Sequence, residues 1–246
     1  MPEAIWASNW EAGASVFTGR LRTAHDLFRR SVQAASQGAY KDFAAQWAVQ
    51  DAESHAVVGQ CAEARREVAA GLELNRDNFT LERAGRALAL CGAHTEAQAL
   101  ARELATRFPS ATLIKRIHLP VIAAALAVQR GESTQALQLL EGVRRYDHVQ
   151  VAEFWPAYLR GHAYLQLRDG RAAGDEFQSI LDHRGEAVVS PLYPLAHLGA
   201  ARSAVLEGDI GRARARYRDF LEIWKGADAD LPALEEAHVE YQRLGH

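Results

Sequence analysis

Apolar residues recur three and four positions apart along most of this chain, in runs broken by short polar or glycine-containing gaps, and that period is helical. The stretch 81–109, LERAGRALALCGAHTEAQALARELATRFP, shows the unit most clearly. It reads as two short helices joined by a turn at Cys91-Gly92, with small residues at Ala84, Gly85 and Ala97 where two helices must approach closely, and Pro109 closing the unit. Alanine, leucine and arginine dominate while β-branched residues are sparse, so propensity agrees with periodicity.

The same arrangement returns with a fixed internal phase. Gly19 precedes Ala24 by five residues, and Gly59–Ala64, Gly92–Ala97, Gly131–Ala136 and Gly208–Ala213 repeat that spacing. Asp169-Gly170 with Ala173 fills the remaining slot, its glycine displaced by two. The alanines step by 40, 33, 39, 37 and 40 residues, which defines six units. We place them at 3–38, 40–77, 78–109, 111–146, 151–183 and 191–226, inside an array spanning 1–230, with 231–246 as a final helix.

Within the units the expected helices are 4–17 and 21–35, 40–58 and 62–74, then the pair already described. Next come 111–129 and 133–144, 151–167 and 171–182, and 191–207 and 210–224. Phe28, Phe177 and Tyr217 hold the aromatic slot four residues after the phased alanine, and Gly161 and Tyr164 hold the small and aromatic slots of the fifth unit. Pro120 should kink or restart its helix, Ser133 is an N-cap choice, and Asp230 with Pro232 should open the last helix. Glu235, Glu236, Glu240, Gln242 and Arg243 offer that helix a polar outer face, as the end of a repeat array requires. The N-terminus shows no comparable cap, and Met1-Pro2 runs straight into helical sequence, so the chain is expected to be a piece of a longer protein.

These features resemble the tetratricopeptide repeat, a helix-turn-helix of about 34 residues with the pattern W-x2-L-G-x2-Y…A-x3-F…P. Leu81, Ala84, Gly85, Leu88, Ala97, Ala101 and Pro109 fall at its spacings. The resemblance implies an all-α, right-handed α-solenoid (a superhelix) of about six helix pairs plus a C-terminal capping helix. It also implies that the chain binds a protein or peptide rather than performing chemistry. Stacking is the physical reason for the array, because one helix pair buries too little apolar surface to offset its ordering entropy.

In such repeats the first helix of each pair lines the groove. Carried onto this sequence, the candidate partner-binding positions are Glu53, Glu82, Arg86, His118, Gln129, Trp155, Tyr158, His162, Gln166 and Arg202, with Trp6 and Asn9 at the N-terminal end. Trp155, Tyr158, His162 and Gln166 are spaced by three, four and four and share one helix face. The alternative for Trp155 and Tyr158 is packing against Pro156. The Lys and Asn that grip a peptide carboxylate in some tetratricopeptide proteins are replaced here by Val49, Glu53, Val121, Ala125, Leu198 and Arg202.

The second half is similar to something narrower. LPVIAAALAVQRGESTQALQLLE, YLRGHAYLQL, EFQSILDHRG and ARARYRDFLEIWKGADADLP resemble the C-terminal repeat region of bacterial, eukaryote-like serine/threonine kinases, with related regions in winged-helix regulators. This implies a sensing or scaffolding arm of a larger signalling protein. The kinase signatures themselves, a glycine-rich phosphate loop, H-R-D and D-F-G, are absent from the sequence.

Composition narrows the function classes further. The net charge of -3 and pI near 6.4 argue against a nucleic-acid footprint. Lys41, Lys115 and Lys225 are the only lysines, which we read as base composition, and Arg29-Arg30, Arg65-Arg66 and Arg144-Arg145 fall on second helices. No signal-peptide pattern opens the chain and its longest apolar run, 119–128, is too short to span a bilayer, so membrane insertion is not expected and a cytoplasmic location is favoured.

Ten histidines include no H-E-x-x-H, and His25, His55, His94, His148 and His183 look isolated. Cys61 and Cys91 fall at helix-pair turns and are expected as packed or free thiols. No catalytic residue, cofactor or metal is therefore expected. The runner-up to a partner-binding scaffold is homo-oligomerisation, with the groove or the uncapped N-terminal edge filled by a second copy, as in a homodimer.

Overall fold

A computed structural model describes residues 3–38 and 40–245, with side chains from Trp6 onward. Met1, Pro2 and the C-terminal His246 lie outside the described residues. Among the described residues there are thirteen α-helices and no strand, as the periodicity requires. They run α1 (Glu3–Phe17), α2 (Leu21–Gln37), α3 (Lys41–Val57), α4 (Cys61–Leu74), α5 (Asn78–Leu90), α6 (His94–Arg107), α7 (Leu119–Gln129) and α8 (Ser133–Glu141). The chain continues through α9 (Trp155–Gln166), α10 (Gly170–Asp182), α11 (Leu192–Leu206), α12 (Ile210–Ile223) and α13 (Pro232–Arg243). The architecture is an α-solenoid: each odd-numbered helix packs on its even-numbered partner, and α3, α5, α7, α9 and α11 also pack on one another in succession.

The two helix classes bury themselves differently. On α2 the buried positions are Leu21, Ala24, Phe28, Ser31 and Ala35, one stripe at helical spacing that leaves the other face in water. On α3 the run from Ala44 to Ala56 is buried on almost every face, and α11 is covered in the same way. First helices therefore form an enclosed inner layer and second helices the outer one.

The turn inside each pair is a left-handed residue. Gly19, Gly59, Gly92, Gly131 and Gly208 have φ between 67° and 89°. In the fifth unit the residue five before Ala173 is Arg168, and its φ is 59°. The geometry of the turn is thus kept where the glycine is missing, and Gly170 instead opens α10.

Prolines account for several departures from the expected boundaries. Pro120 has no N–H to offer, and the preceding residues Ile114–His118 close as a π-helical turn in which the Leu119 N–H reaches the Ile114 carbonyl. Pro156 does not kink a helix over 151–167. It lies in the first turn of a shorter α9, after Glu153 and Phe154 in left-handed conformations with φ of 48° and 69°. Ser133 does not cap α8; its hydroxyl donates to Gln166 Oε1 at 2.5 Å. Asp230 does not cap α13, because it pairs with Arg22 at 2.8 Å.

That ion pair is part of a larger correction. The N-terminal edge is covered by the chain's own C-terminal segment. Trp224 Nε1 donates to the Phe17 carbonyl at 3.1 Å, and the Asp228 N–H donates to the Gly19 carbonyl at 3.0 Å. Asp228 also accepts from the Arg22 N–H at 2.8 Å, which caps the start of α2 from more than two hundred residues away. Gly19 is needed here for contact as well as conformation: a Cβ on it would lie 2.6 Å from that of Ala227. Phe17 stacks on Tyr193 of α11, with Arg184 over both rings. The solenoid closes head to tail. On α13, Glu235, Gln242 and Arg243 remain outward, while Glu236 and Glu240 engage Arg202.

Cys61 and Cys91, expected as thiols, form a disulfide with 5.5 Å between their Cα atoms. Their separation of 30 residues is close to one repeat, so stacking places equivalent turns side by side.

Candidate functional site

The expected groove positions converge on a buried ionic knot. Glu82, Arg83 and Arg86 share one side of α5, and Glu53 faces them from α3. Arg83 Nη1 donates to Glu53 Oε2 at 2.6 Å, and Arg86 Nε donates to Glu53 Oε1 at 2.5 Å. The fourth member is Glu153, whose Oε1 accepts from Arg83 Nη2 at 2.5 Å and whose Oε2 lies 3.9 Å from Arg86. The left-handed backbone at Glu153 and Phe154 breaks the chain before α9, and such a pair of non-glycine residues is held only by its surroundings. Arg86 also lies 5.0 Å above the Trp155 ring. Next to the knot, His118 Nε2 is 2.8 Å from Glu82 Oε2.

At Glu153 and Arg83 burial works against the charge, and the partners outweigh it. At Glu153 burial pushes the carboxyl up, yet Arg83 and Arg86 hold it below the usual carboxylate range. At Arg83 burial acts to lower the guanidinium, and Glu153 and Glu53 raise it instead. Every member is tied to another member. The knot is an ion cluster in which each of the four groups faces at least one opposite charge.

Above it opens a cavity of about 280 Å³, bounded by α1, α3 and the 185–191 loop. Its floor is polar, with Glu53, Arg83 and Glu153, and its rim is apolar, with Trp10, Val188 and Val189. Trp10 is 57% exposed and Val188 51%. Carboxylates outnumber cations around it, three to one, with Glu186 beside Glu53 and Glu153 against Arg83.

The structure thus divides the expected groove set. Glu53, Glu82, Arg86, His118, Trp155 and Tyr158 are buried, Trp155 and Tyr158 to 3% and 7% exposure, so these two do not present an aromatic face to solvent. These residues lie where successive first helices pack on one another and on their partners, so they fill the inner layer rather than line a groove. Tyr158 and His162 instead surround Phe177, with ring centroids 6.1 and 5.6 Å away. Gln166 is exposed at the other end of α9, where its Nε2 donates to the Val128 carbonyl at 3.0 Å, and Gln129 is exposed. Arg202 is half-buried and held by Glu240 and Glu236, both at 2.9 Å. Trp6 packs edge-on against Phe43 and Trp47, and Asn9 is half-buried.

Sequence reading missed Arg83, Glu153 and the 185–191 loop. Arg83 stands beside two residues that were chosen and is offset by one position from the expected face. The Pro156 signal was present and would have ended the preceding helix before Glu153. The histidines are also less scattered than their positions suggest. His25, Asp51 and His55 come together, as do His148, His183 and Glu186.

No family model matches the chain, and no curated protein matches it. Among solved structures the chain is similar to the crystal structure of the P58(IPK) TPR domain, with a TM-score of 0.42 and 15% identity over 98% of this chain and 79% of that one.

Proposed function

We propose that the chain is a non-catalytic scaffold that binds a protein or peptide segment in the groove bounded by α1, α3 and the 185–191 loop. The observation that carries this reading is Trp10, a large aromatic left 57% exposed at the rim of a polar-floored cavity. Aromatic anchors of this kind are enriched at interfaces. The acidic excess among the lining residues selects a segment that pairs an apolar side chain, seated on Trp10 and Val188, with a basic one directed at Glu153 and Glu186.

The wider setting we propose is the regulatory or sensing region of a larger bacterial signalling protein. It is supported by the likeness of the second half, in segments such as EFQSILDHRG, to the repeat regions attached to bacterial kinases. The disulfide favours an oxidising compartment over the cytoplasm. A second reading, self-association, is favoured by the same exposed Trp10 together with Trp6, which a second copy could cover.

A displayed random-peptide library panned on the immobilised protein tests the first reading. The enriched peptides should combine an aliphatic or aromatic residue with Arg or Lys. Trp10→Ala should leave the melting temperature unchanged and weaken a selected peptide more than tenfold, as loss of a hot spot of about 2 kcal/mol requires. A Trp10→Ala protein that binds as well as the parent overturns the groove assignment. Concentration-dependent sedimentation that Trp10→Ala abolishes would support self-association instead.

A further inference from the structure

His25 on α2 meets Asp51 and His55 on α3 at the contact between the first two repeats. Asp51 and His55 are four residues apart on one helix face, aimed at the neighbouring helix. His25 Nδ1 lies 2.6 Å from Asp51 Oδ2, and His55 Nε2 lies 3.4 Å from Asp51 Oδ1. All three ligand atoms fall within 4.8 Å of one another.

Two observations separate this group from an ordinary buried ion pair. The first is weakly satisfied polarity: Asp51 Oδ1 and His55 Nε2 are both shielded from solvent, and neither makes a well-formed hydrogen bond, their one close polar contact being the loose 3.4 Å pair with each other. Their side chains are 1% and 6% exposed, and a poorly partnered buried polar atom is costly enough to need an explanation. The second is orientation. His55 Nδ1 is 2.7 Å from Gln60 Oε1, a carbonyl oxygen that can only accept, so Nδ1 carries the proton. In the neutral ring Nε2 then turns a lone pair toward a carboxylate oxygen. A cation between them, a second proton or a metal ion, relieves that opposition. A histidine that donates its far N–H to a carbonyl while its near nitrogen faces an acidic oxygen is arranged as metal-ligating imidazoles are.

We propose that His25, Asp51 and His55 form a binding site for a divalent first-row transition ion of the zinc class, with Gln60 orienting His55. Two imidazoles and one carboxylate suit Zn²⁺ and its neighbours rather than Mg²⁺ or Ca²⁺, which favour all-oxygen shells. Three protein ligands leave a position open. Asp51 also borders a cavity of about 270 Å³ that Glu67 lines, from which water or the Glu67 carboxylate can complete the shell. The His25 side chain is 30% exposed and gives the ion a way in. A bound ion would tie α2 to α3, and so the first repeat to the second. The group His148, His183 and Glu186 is mostly exposed and has no comparable weakly satisfied buried atom, which makes it the control.

The test uses the untagged chain, stripped with a chelator and titrated calorimetrically with ZnCl₂. One Zn²⁺ per chain should bind, and saturating metal should raise the melting temperature by mass action. CoCl₂ should give ligand-field absorption in the visible, whereas MgCl₂ and CaCl₂ should give neither response. His25→Ala, at a half-exposed position, should keep the parent's circular dichroism in chelator and lose the stoichiometric binding. Gln60→Ala should retain the site but weaken it about 10–100-fold. His183→Ala should bind like the parent. A parent chain that takes up no Zn²⁺, a His25→Ala chain that binds it unchanged, or loss of binding in His183→Ala alone overturns the proposal.

Discussion

Two buried centres hold this molecule together, and they are built on opposite terms. One is the Phe177 ring, which enters from α10 between α9 and α11 where both helices carry glycine. A Cβ at Gly161 would lie 2.7 Å from that ring and one at Gly199 2.5 Å from it. The other is the knot of Glu53, Arg83, Arg86 and Glu153, two buried charges and two half-buried ones linked at 2.5–2.6 Å. The aromatic centre is made by shape, from positions one repeat apart. The ionic centre is made by mutual neutralisation, from positions in three different repeats. The difference predicts that damage to the first is local and irreparable by a second substitution, whereas damage to the second is repairable.

The largest effect should come from Phe177→Ala. It empties a site lined by two glycines that cannot collapse inward, and should cost about 3–5 kcal/mol in denaturant unfolding. Glu53→Ala should cost nearly as much, about 3–5 kcal/mol, because it leaves buried guanidinium charge uncompensated. The two then diverge. Adding Arg86→Met to Glu53→Leu should recover most of the loss, since Arg83 and Glu153 still neutralise each other and an apolar pair can replace a buried ion pair at little cost. No second substitution on α9 or α11 should rescue Phe177→Ala. If the double variant is as unstable as Glu53→Ala, the knot owes its stability to geometry rather than neutralisation, and the contrast fails.

The aromatic centre was legible in the sequence and the ionic one was not. Gly161, Ala173 and Phe177 sit at phased positions within one repeat, so local spacing found them. Glu153 reaches the knot only because a proline restarts the helix after it, and Arg83 meets it across 70 residues. The closure through Trp224, Asp228 and Phe17 was equally hidden, because a repeat pattern describes neighbours and carries no information about where the two ends meet. Tyr158 was expected on a groove wall, and it is instead 7% exposed and packed against Phe177, because spacing along one helix does not say how closely its neighbours cover it.

A smaller effect tests the register in the third repeat, beside Arg86 of the ionic knot. Gly85 was expected to face its partner helix within the repeat. In the structure a Cβ there would meet Ile122 of the following first helix at 3.1 Å before Leu100 of its own partner at 3.8 Å. Gly85→Leu should therefore overpack the contact between α5 and α7 and cost about 1–3 kcal/mol. Gly85→Ala should be mild, because the Ile122 side chain needs to give by only a few tenths of an ångström. Ile122→Val should relieve part of the Gly85→Leu cost if the order of contacts is as described, and Leu100→Ala should not.

The smallest effect separates the two centres by pH. His162, packed on Tyr158 and Phe177, is pushed down to about 4 by burial, with Arg202 acting in the same direction. His197 reaches about 4 through burial as well, with Asp219 opposing and Arg216 reinforcing. Both rings fold neutral. A histidine whose folded pKa lies below its unfolded value of about 6.5 contributes stability that is complete above that value and lost as pH falls. The aromatic side of the molecule should thus weaken between about pH 6.5 and 4. Glu153, held below its ordinary range, contributes stability that fades only below the usual carboxylate pKa of about 4.3. Melting temperature should accordingly fall in two stages on acidification. In His162→Gln/His197→Gln the first stage should flatten while the second remains, and in Glu53→Leu/Arg86→Met the second should change while the first remains. A single acid transition unaffected by the histidine pair would show that protonation reaches both centres together, through opening of the closed ring.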